Sequence, residues 1–281
     1  ERSRIRDSKS RLMHSIKEIT FSDAENADIK RENANIDGNT AMGTMLQYGS
    51  TISKEFCKSY LLKPEHTKAH EQGEIHIHDM DFMNMGTLTC CQIDLSQLFK
   101  DGFSTGHGFL REPNDIMSYS ALAAIAIQSN QNDQHGGQSI PYFDYSLADG
   151  IRKTFRTSYE NHLLKAISLL ADGDTTTEEI RQLTVSAEKR SGETVQISMD
   201  GGYLAAEKEI IKQIFLVSQE VADKIQAFAL KEAREETNKK AYQAMEAFIH
   251  NLNTMHSRAG AQVPFSSVNF GTDTSEEGRM V

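Results

Sequence analysis

Gly73-Glu74-Ile75-His76-Ile77-His78-Asp79, followed by Thr87-Leu88-Thr89-Cys90-Cys91-Gln92-Ile93-Asp94-Leu95, is the stretch around which the chain is organised. Residues 73–95 crowd histidines, carboxylates and thiols more densely than a structural core requires. Both runs read as short strands. Side chains alternate along a strand, so His76 and His78 are expected on one face and Ile75 and Ile77 on the other. By the same alternation Cys90 and Cys91 point opposite ways, and only one of them can face a given site.

The 281 residues, 38% hydrophobic, suffice for one large domain or one and a half. A formal charge of −10 argues against a general nucleic-acid or anionic-membrane surface, while leaving room for nucleotides in a local pocket. Apolar runs long enough to span a membrane are missing from the sequence. Three cysteines, two of them adjacent, make no disulfide framework and point to a reducing, cytoplasmic setting. The chain begins at Glu1 and stops inside a continuing pattern, so it reads as a piece of a longer protein.

Working outward, residues 1–20 form a basic helix or linker. Met42, Met45, Ile52, Phe56 and Tyr60 then recur at helical spacing and are expected on one side of a helix. Gly43 and Gly49 inside that run suggest close packing against another backbone. Pro64 is placed to open a helix carrying His66 and His70, a pair that lacks a third metal ligand. The loop Gly102–Gly108 has neither Walker nor dinucleotide spacing. Helices are expected over 115–129, with burial on most sides, and over 144–171, with Leu147, Ile151, Phe155, Leu163, Ile167 and Leu170 inward. Residues 172–202 read as a peripheral helix and turn, and 203–236 as one or two charged helices. Tyr242, Met245, Phe248, Leu252 and Met255 form the next expected buried stripe, and 262–270 reads as a strand. The amide-rich Gln128–Gln138 run, ending in Gly136-Gly137-Gln138, is either a solvated loop or a turn facing a ligand.

His76-Ile77-His78 admits three roles: metal ligands of a hydrolase, groups that position a substrate, or satisfied core histidines. Positioning and structure rank level, with metal third. Cys90 and Cys91 are either small buried hydrophobes or redox groups whose partner sulfur lies elsewhere. Cys57, on the helical run, reads as structural.

Several motifs taken together resemble the class III anaerobic ribonucleoside-triphosphate reductases. They are Asn33-Ala-Asn35-Ile-Asp37-Gly38, Gly73–Asp81, Cys90–Leu95, Gly102–Arg111, Gln128–Gln138, Asn251–Ser267 and Gly271-Thr-Asp273-Thr274. The resemblance implies an α/β protein, the N-terminal part of a ten-stranded α/β barrel of glycyl-radical type with substantial helical content. Residues 1–30 would be a linker helix after an ATP-cone, and 31–281 the first half of the barrel. The implied activity is radical reduction of ribonucleoside triphosphates to deoxyribonucleotides for DNA synthesis. Formate would be the reductant, ATP and deoxynucleotides the effectors, and a radical-SAM iron–sulfur protein the activator of a homodimer. Helices at 115–129 and 144–171 would form the dimer and bind the effector. Among the residues, Cys90 corresponds to the family's second barrel cysteine, with Cys91 dispensable. His76, His78, Ser266, Ser267 and Asn269 would lie on the substrate side. No cysteine follows Cys91, so the thiyl cysteine, the glycyl-radical motif and the four-cysteine zinc site have no counterpart here, and the piece is expected to be inactive alone. A metal-dependent hydrolase and a non-catalytic deoxynucleotide-binding dimerisation module are the alternatives.

Overall fold

A computed structural model describes residues 2–21, 38, 40–171, 175–199, 201–259 and 261–281. These residues are mostly helical with a small parallel sheet, in keeping with the α/β class. They divide into two compact units. The first comprises Glu1–Ile93, Ala126–Ser139 and Asn251–Ser267, and the second Asp94–Ile125, Ile140–His250 and Val268–Val281.

In the first unit, α1 (Arg2–Phe21) lies against α2 (Ala41–Phe56). Arg11 Nε donates to Glu55 Oε2 at 3.4 Å, and the Thr20 and Tyr48 hydroxyls bond at 2.9 Å. Thr40 caps α2 by accepting from Gly43 N at 3.0 Å, as a short hydroxyl side chain does at a helix start. The helix runs into a π-helical turn (Cys57–Leu61), after which Pro64 opens α3 (Pro64–Glu71).

The α2 stripe is real but faces outward. Met42, Met45, Ile52, Phe56 and Tyr60 are all exposed (Met45 by 62%), whereas Gln47, Ser53, Glu55 and Cys57 are buried. Hydroxyls and a carboxylate take the inward side because that face makes polar bonds: Ser53 donates to Asn84 Oδ1 at 3.0 Å, and Glu55 meets Arg11 and Lys58. No atom lies within 4 Å of a β-carbon built on Gly49, so close packing does not explain that glycine.

The second unit contains α4 (Leu95–Asp101), the antiparallel hairpin β2–β3 (Phe103–Ser104, Phe109–Leu110) and most of α5 (Ile116–Asn130). With them are α6 (Phe143–Leu170), α7 (Thr177–Ser191), α8 (Gly201–Phe215), most of α9 (Gln219–Thr254) and α10 (Glu276–Met280). Leu147, Ile151, Phe155, Leu163 and Ile167 of α6 are buried as expected, while Leu170 turns outward. Gly150 allows α5 close, since a β-carbon there would sit 2.8 Å from the Tyr119 ring. Thr176 and Glu179 form a reciprocal capping box at the start of α7.

On α9 the inward row is Ala222, Ile225, Ala229, Ala233, Ala241, Ala244 and Phe248, with Leu252 at its end. Tyr242 (72% exposed) and Met255 belong to the outer surface, contrary to the expected stripe. Alanines win the inner face because they let helix axes approach closely, which a count of large residues overlooks.

Glu207, fully buried, accepts from Tyr159 Oη at 2.5 Å, Gln226 Nε2 at 2.7 Å and Tyr203 Oη at 3.0 Å, tying α6, α8 and α9 together. Burial raises its carboxyl above the usual range against those three donors.

The sheet has the order β1-β4-β5, with β1 Cys91–Gln92, β4 Gln138–Ile140 and β5 Ser266–Val268. β1 and β4 run parallel, Cys91 opposite Gln138 and Gln92 opposite Ser139. Gln138 N donates to Phe265 O and Asn269 N to Ile140 O, an advance in the same direction along both chains that makes β5 parallel to β4.

Candidate functional site

Gly73–Asp79 is not a strand. Residues 72–86 form consecutive turns, with left-handed backbone at Gly73 (φ +76°), Asp79 (φ +47°) and Gly86 (φ +69°). An extended ladder cannot pass through such positions. The backbone amides are satisfied locally instead: Glu74 N donates to Ala69 O at 2.9 Å, Ile77 N to His70 Nδ1 at 3.2 Å and Phe82 N to Asp79 O at 3.0 Å. His76 and His78 still end side by side, ring centroids 5.8 Å apart, and His70 lies 5.8 Å from His76 on the other side. Both His76 and His78 are exposed.

The turns are anchored to α2. Ser50 Oγ donates to Asp81 Oδ2 at 2.8 Å, Ser53 Oγ to the Asp81 carbonyl, and Cys57 Sγ to Met80 O at 3.3 Å. Cys57 is therefore structural, as expected; burial, with Asp81 nearby, pushes its thiol up.

The second run is shorter than expected: Leu88 forms an isolated bridge to Gln134, and regular pairing begins only at Cys91. Cys90 lies in the bend before β1, so strand alternation does not reach it, and the two thiols differ in cover. Cys90 is exposed, while Cys91 is partly covered and its Sγ accepts from Asn130 Nδ2 at 3.0 Å. Gly136 lies directly over the Thr89–Cys90 peptide. A β-carbon there would overlap the Thr89 carbonyl and come within 2.9 Å of Cys90 Sγ.

Residues 128–138 are not simply a solvated loop, although Asn132 and Asp133 are exposed. Gln131, Gln134 and Gln138 are buried, and their amides are largely spent inside the protein. Gln138 Nε2 donates to Ile127 O at 2.9 Å, Gln131 Nε2 to Val263 O at 3.2 Å, and Asn130 Nδ2 to Gln138 Oε1 at 2.8 Å. The Arg258 guanidinium donates to the Gln131 and Gln134 carbonyls and to Gln262 Oε1; burial lowers its pKa. Polar groups that cannot reach water must pair internally, and here one arginine gathers the segment.

Asp79 is a hub for two imidazoles, and its pairing with His135 is what sequence reasoning missed. His78 Nε2 lies 3.1 Å and His135 Nε2 3.2 Å from the same Asp79 oxygen. The His135 ring stacks on Phe82 at 4.3 Å with the planes 4° apart. Asp79 was quoted among the motifs, but only the fold brings His135 to it.

Ser266 and Ser267 sit on β5, two strands from β1, so roughly 10 Å of sheet separates them from the Cys90 end. Ser267 is exposed and Ser266 half-buried. Asn269 belongs to the second unit. Its side chain is exposed, and its backbone is clamped by Asn269 N→Ile140 O and Phe143 N→Asn269 O, both 2.9 Å.

Just beyond it, the buried Asp144 Oδ2 accepts from the consecutive amides of Gly271 (2.8 Å), Thr272 (2.9 Å) and Asp273 (2.9 Å). Burial acts to raise this carboxyl, but the backbone donors prevail and hold it below the usual range.

Among the described residues, no group of three or more His, Cys, Asp or Glu is arranged to hold a metal.

A sequence model of the family described as anaerobic ribonucleoside-triphosphate reductase matches residues 32–281. An anaerobic ribonucleoside-triphosphate reductase of Salmonella typhimurium is 24% identical over 277 residues, covering 98% of this chain and 30% of the relative. The enzyme of the same name from Enterobacteria phage T4 is 25% identical over 257 residues, 91% of this chain and 32% of its own. That of Haemophilus influenzae is 28% identical over 167 residues, covering 59% and 23%. The chain thus spans about 30% of the length of the first of these relatives.

Proposed function

Because the chain belongs to the anaerobic ribonucleoside-triphosphate reductase family, we propose that it serves in the reduction of ribonucleoside triphosphates to deoxyribonucleoside triphosphates. The observation that carries this reading is the family match over residues 32–281, joined by an exposed Cys90 thiol close to Gly136, the neighbour of the His135 that meets Asp79. The short β1-β4-β5 sheet is consistent with part of a barrel wall, and the expected ten-stranded barrel is retained as part of the proposal.

A glycyl radical in the complete enzyme supplies the one-electron chemistry. Overall, formate is oxidised to carbon dioxide, and its two electrons with two protons replace the ribose 2′-hydroxyl by hydrogen and release water. Within this chain, Cys90 is the redox thiol that exchanges a hydrogen with its partner sulfur. His76 and His78 donate hydrogen bonds to substrate oxygens, and Ser266, Ser267 and Asn269 line the substrate side. The exposure of His76, His78, Cys90, Ser267 and Asn269 supports these assignments, since a group that must touch substrate cannot be buried in a satisfied core. α5 and α6 are proposed for the homodimer and for deoxynucleotide effectors, with the exposed Met117 and Tyr145 on their outer faces. The radical-SAM activating protein and ATP control follow from the family reading.

The hydrolase alternative gains nothing from the geometry: His76 and His78 sit on turns, not at a strand end, and no third ligand joins them among the described residues. An anoxic assay of the complete reading frame with its activating protein tests the proposal. Deoxynucleotide formed from ribonucleoside triphosphate and formate is the expected result. An activated enzyme that leaves every ribonucleotide unreduced would overturn it.

A further inference from the structure

We propose that His135, seated by Asp79 and Phe82, is a positioning residue for the Cys90 thiol. The inference rests on the reading of Cys90 as the redox thiol, and it begins from three features of residues 78–91. Asp79 holds φ +47°, which a non-glycine residue rarely adopts without something to stabilise it. Two imidazoles converge on its Oδ2. The His135 side chain is only 5% exposed; its Nε2 is at ion-pair distance from Asp79 without hydrogen-bond alignment, and its Nδ1 has no partner among the described residues. A buried imidazole with an unspent nitrogen is costly as mere packing, and such groups concentrate where a protein does chemistry.

The connection to the thiol runs through backbone. Residues 133–137 follow residues 87–91 in step: Thr87 Oγ1 donates to Asp133 O at 3.1 Å, His135 N to Leu88 O at 3.3 Å, and Cys91 N to Gly137 O at 3.1 Å. Between these ties Gly136 lies over Thr89–Cys90, close to both. The His135 ring is held on one side of Gly136, and the β4 ladder starts on the other at Gln138. A shift of the ring therefore moves Gly136, and the thiol in contact with it moves too.

The charged and titratable groups around the ring are Asp79 and His78 from the turns and Cys90 beyond Gly136. Asp133 lies on its own segment, and Arg258 donates to the Gln134 carbonyl next to it. A change at the His135 ring, held by Asp79 and Phe82, is thus passed to the Cys90 thiol through Gly136.

The test is the pH profile of Cys90 alkylation by iodoacetamide in the 281-residue chain, read by mass spectrometry with Cys91 as internal control. His135→Gln should change the Cys90 rate by about threefold or more, and alter the shape of its profile, while leaving Cys91 unaltered. Asp79→Asn should change the Cys90 profile as well, and it decides the matter if His135→Gln fails to fold. A Cys90 profile identical to wild type in a folded His135→Gln chain, or in Asp79→Asn where that chain alone folds, overturns the proposal. The outcome stands apart from the reductase reading: Cys90→Ser enzyme that keeps full turnover would end Cys90's assigned role without touching the alkylation result.

Discussion

Gly136 and Thr89 touch backbone to backbone: no side chain of any kind fits between the Gly136 α-carbon and the Thr89 carbonyl. The contact closes the segment that carries Cys90 against the start of β4. It also gives Gly136 a physical reason, which is close approach of chain to chain.

Gly136→Ala should therefore destabilise the first unit by about 3 kcal/mol, at the upper end of overpacking costs, because backbone cannot yield as a flexible side chain does. Urea denaturation followed by circular dichroism would read it. An alanine variant with an unchanged midpoint would mean that the segment can open without penalty.

Cys90→Ser in the complete enzyme should abolish turnover, whereas Cys91→Ser should keep most of it. Losing the Asn130–Cys91 bond costs about 1 kcal/mol and leaves the exposed thiol in place. The reverse pattern in an anoxic turnover assay would show that the two sulfurs have exchanged roles.

The Asp144 clamp makes stability depend on acid. Its folded pKa lies below the unfolded value of about 3.9, so its contribution is complete above that value and is lost as pH falls through the folded pKa. Asp144→Ala, leaving three amides unpartnered, should cost about 3 kcal/mol at neutral pH and less as pH drops below about 4. Hydrogen exchange at Gly271, Thr272 and Asp273 should accelerate first; uniform exchange across the second unit would indicate a diffuse effect instead.

Glu207 works in the opposite sense. Burial raises its folded pKa above the unfolded value, so the folded state holds its proton more tightly and stability declines as pH rises from the unfolded value through the folded one. Glu207→Gln should flatten the part of the stability–pH curve above about pH 4.3 while keeping α6, α8 and α9 together. Thermal melts across that range compare the slopes directly, and equal slopes would leave Glu207 with no part in them.

Helices carried most of what could be read in advance, because a period of 3.6 residues survives any tertiary context. α3 begins at Pro64, α5 and α6 lie within a residue or so of expectation, and β5 falls inside 262–270. Which side of a helix is buried was harder. α2 hides Gln47, Ser53 and Glu55 and shows its methionines, while α9 buries alanines and shows Tyr242. In both, contact partners from distant sequence decide the matter, and hydrophobic pattern counts size in place of partners. At the candidate site, the unequal exposure of Cys90 and Cys91 is in keeping with the expected alternation, but only Cys91 lies in a strand. Asp79 with His135 was not legible, since left-handed backbone at Asp79 turned an apparent strand into turns and no local signal joins residues 79 and 135. Likewise the amides of 128–138 read as polar surface because Arg258, which gathers them, lies far along the chain.

The outward face of α2 bears on how the protein meets air. Met42 and Met45 present their thioethers to solvent, and Met83 and Met85 do the same on the turns beyond. Peroxide formed when a reduced sample meets air transfers one oxygen to a thioether, leaving water and a sulfoxide, and the change makes an apolar patch polar. Brief exposure to hydrogen peroxide should therefore mark these four methionines before the buried Met80, so that the sulfoxide content of α2 becomes a record of peroxide exposure that peptide mass mapping can read.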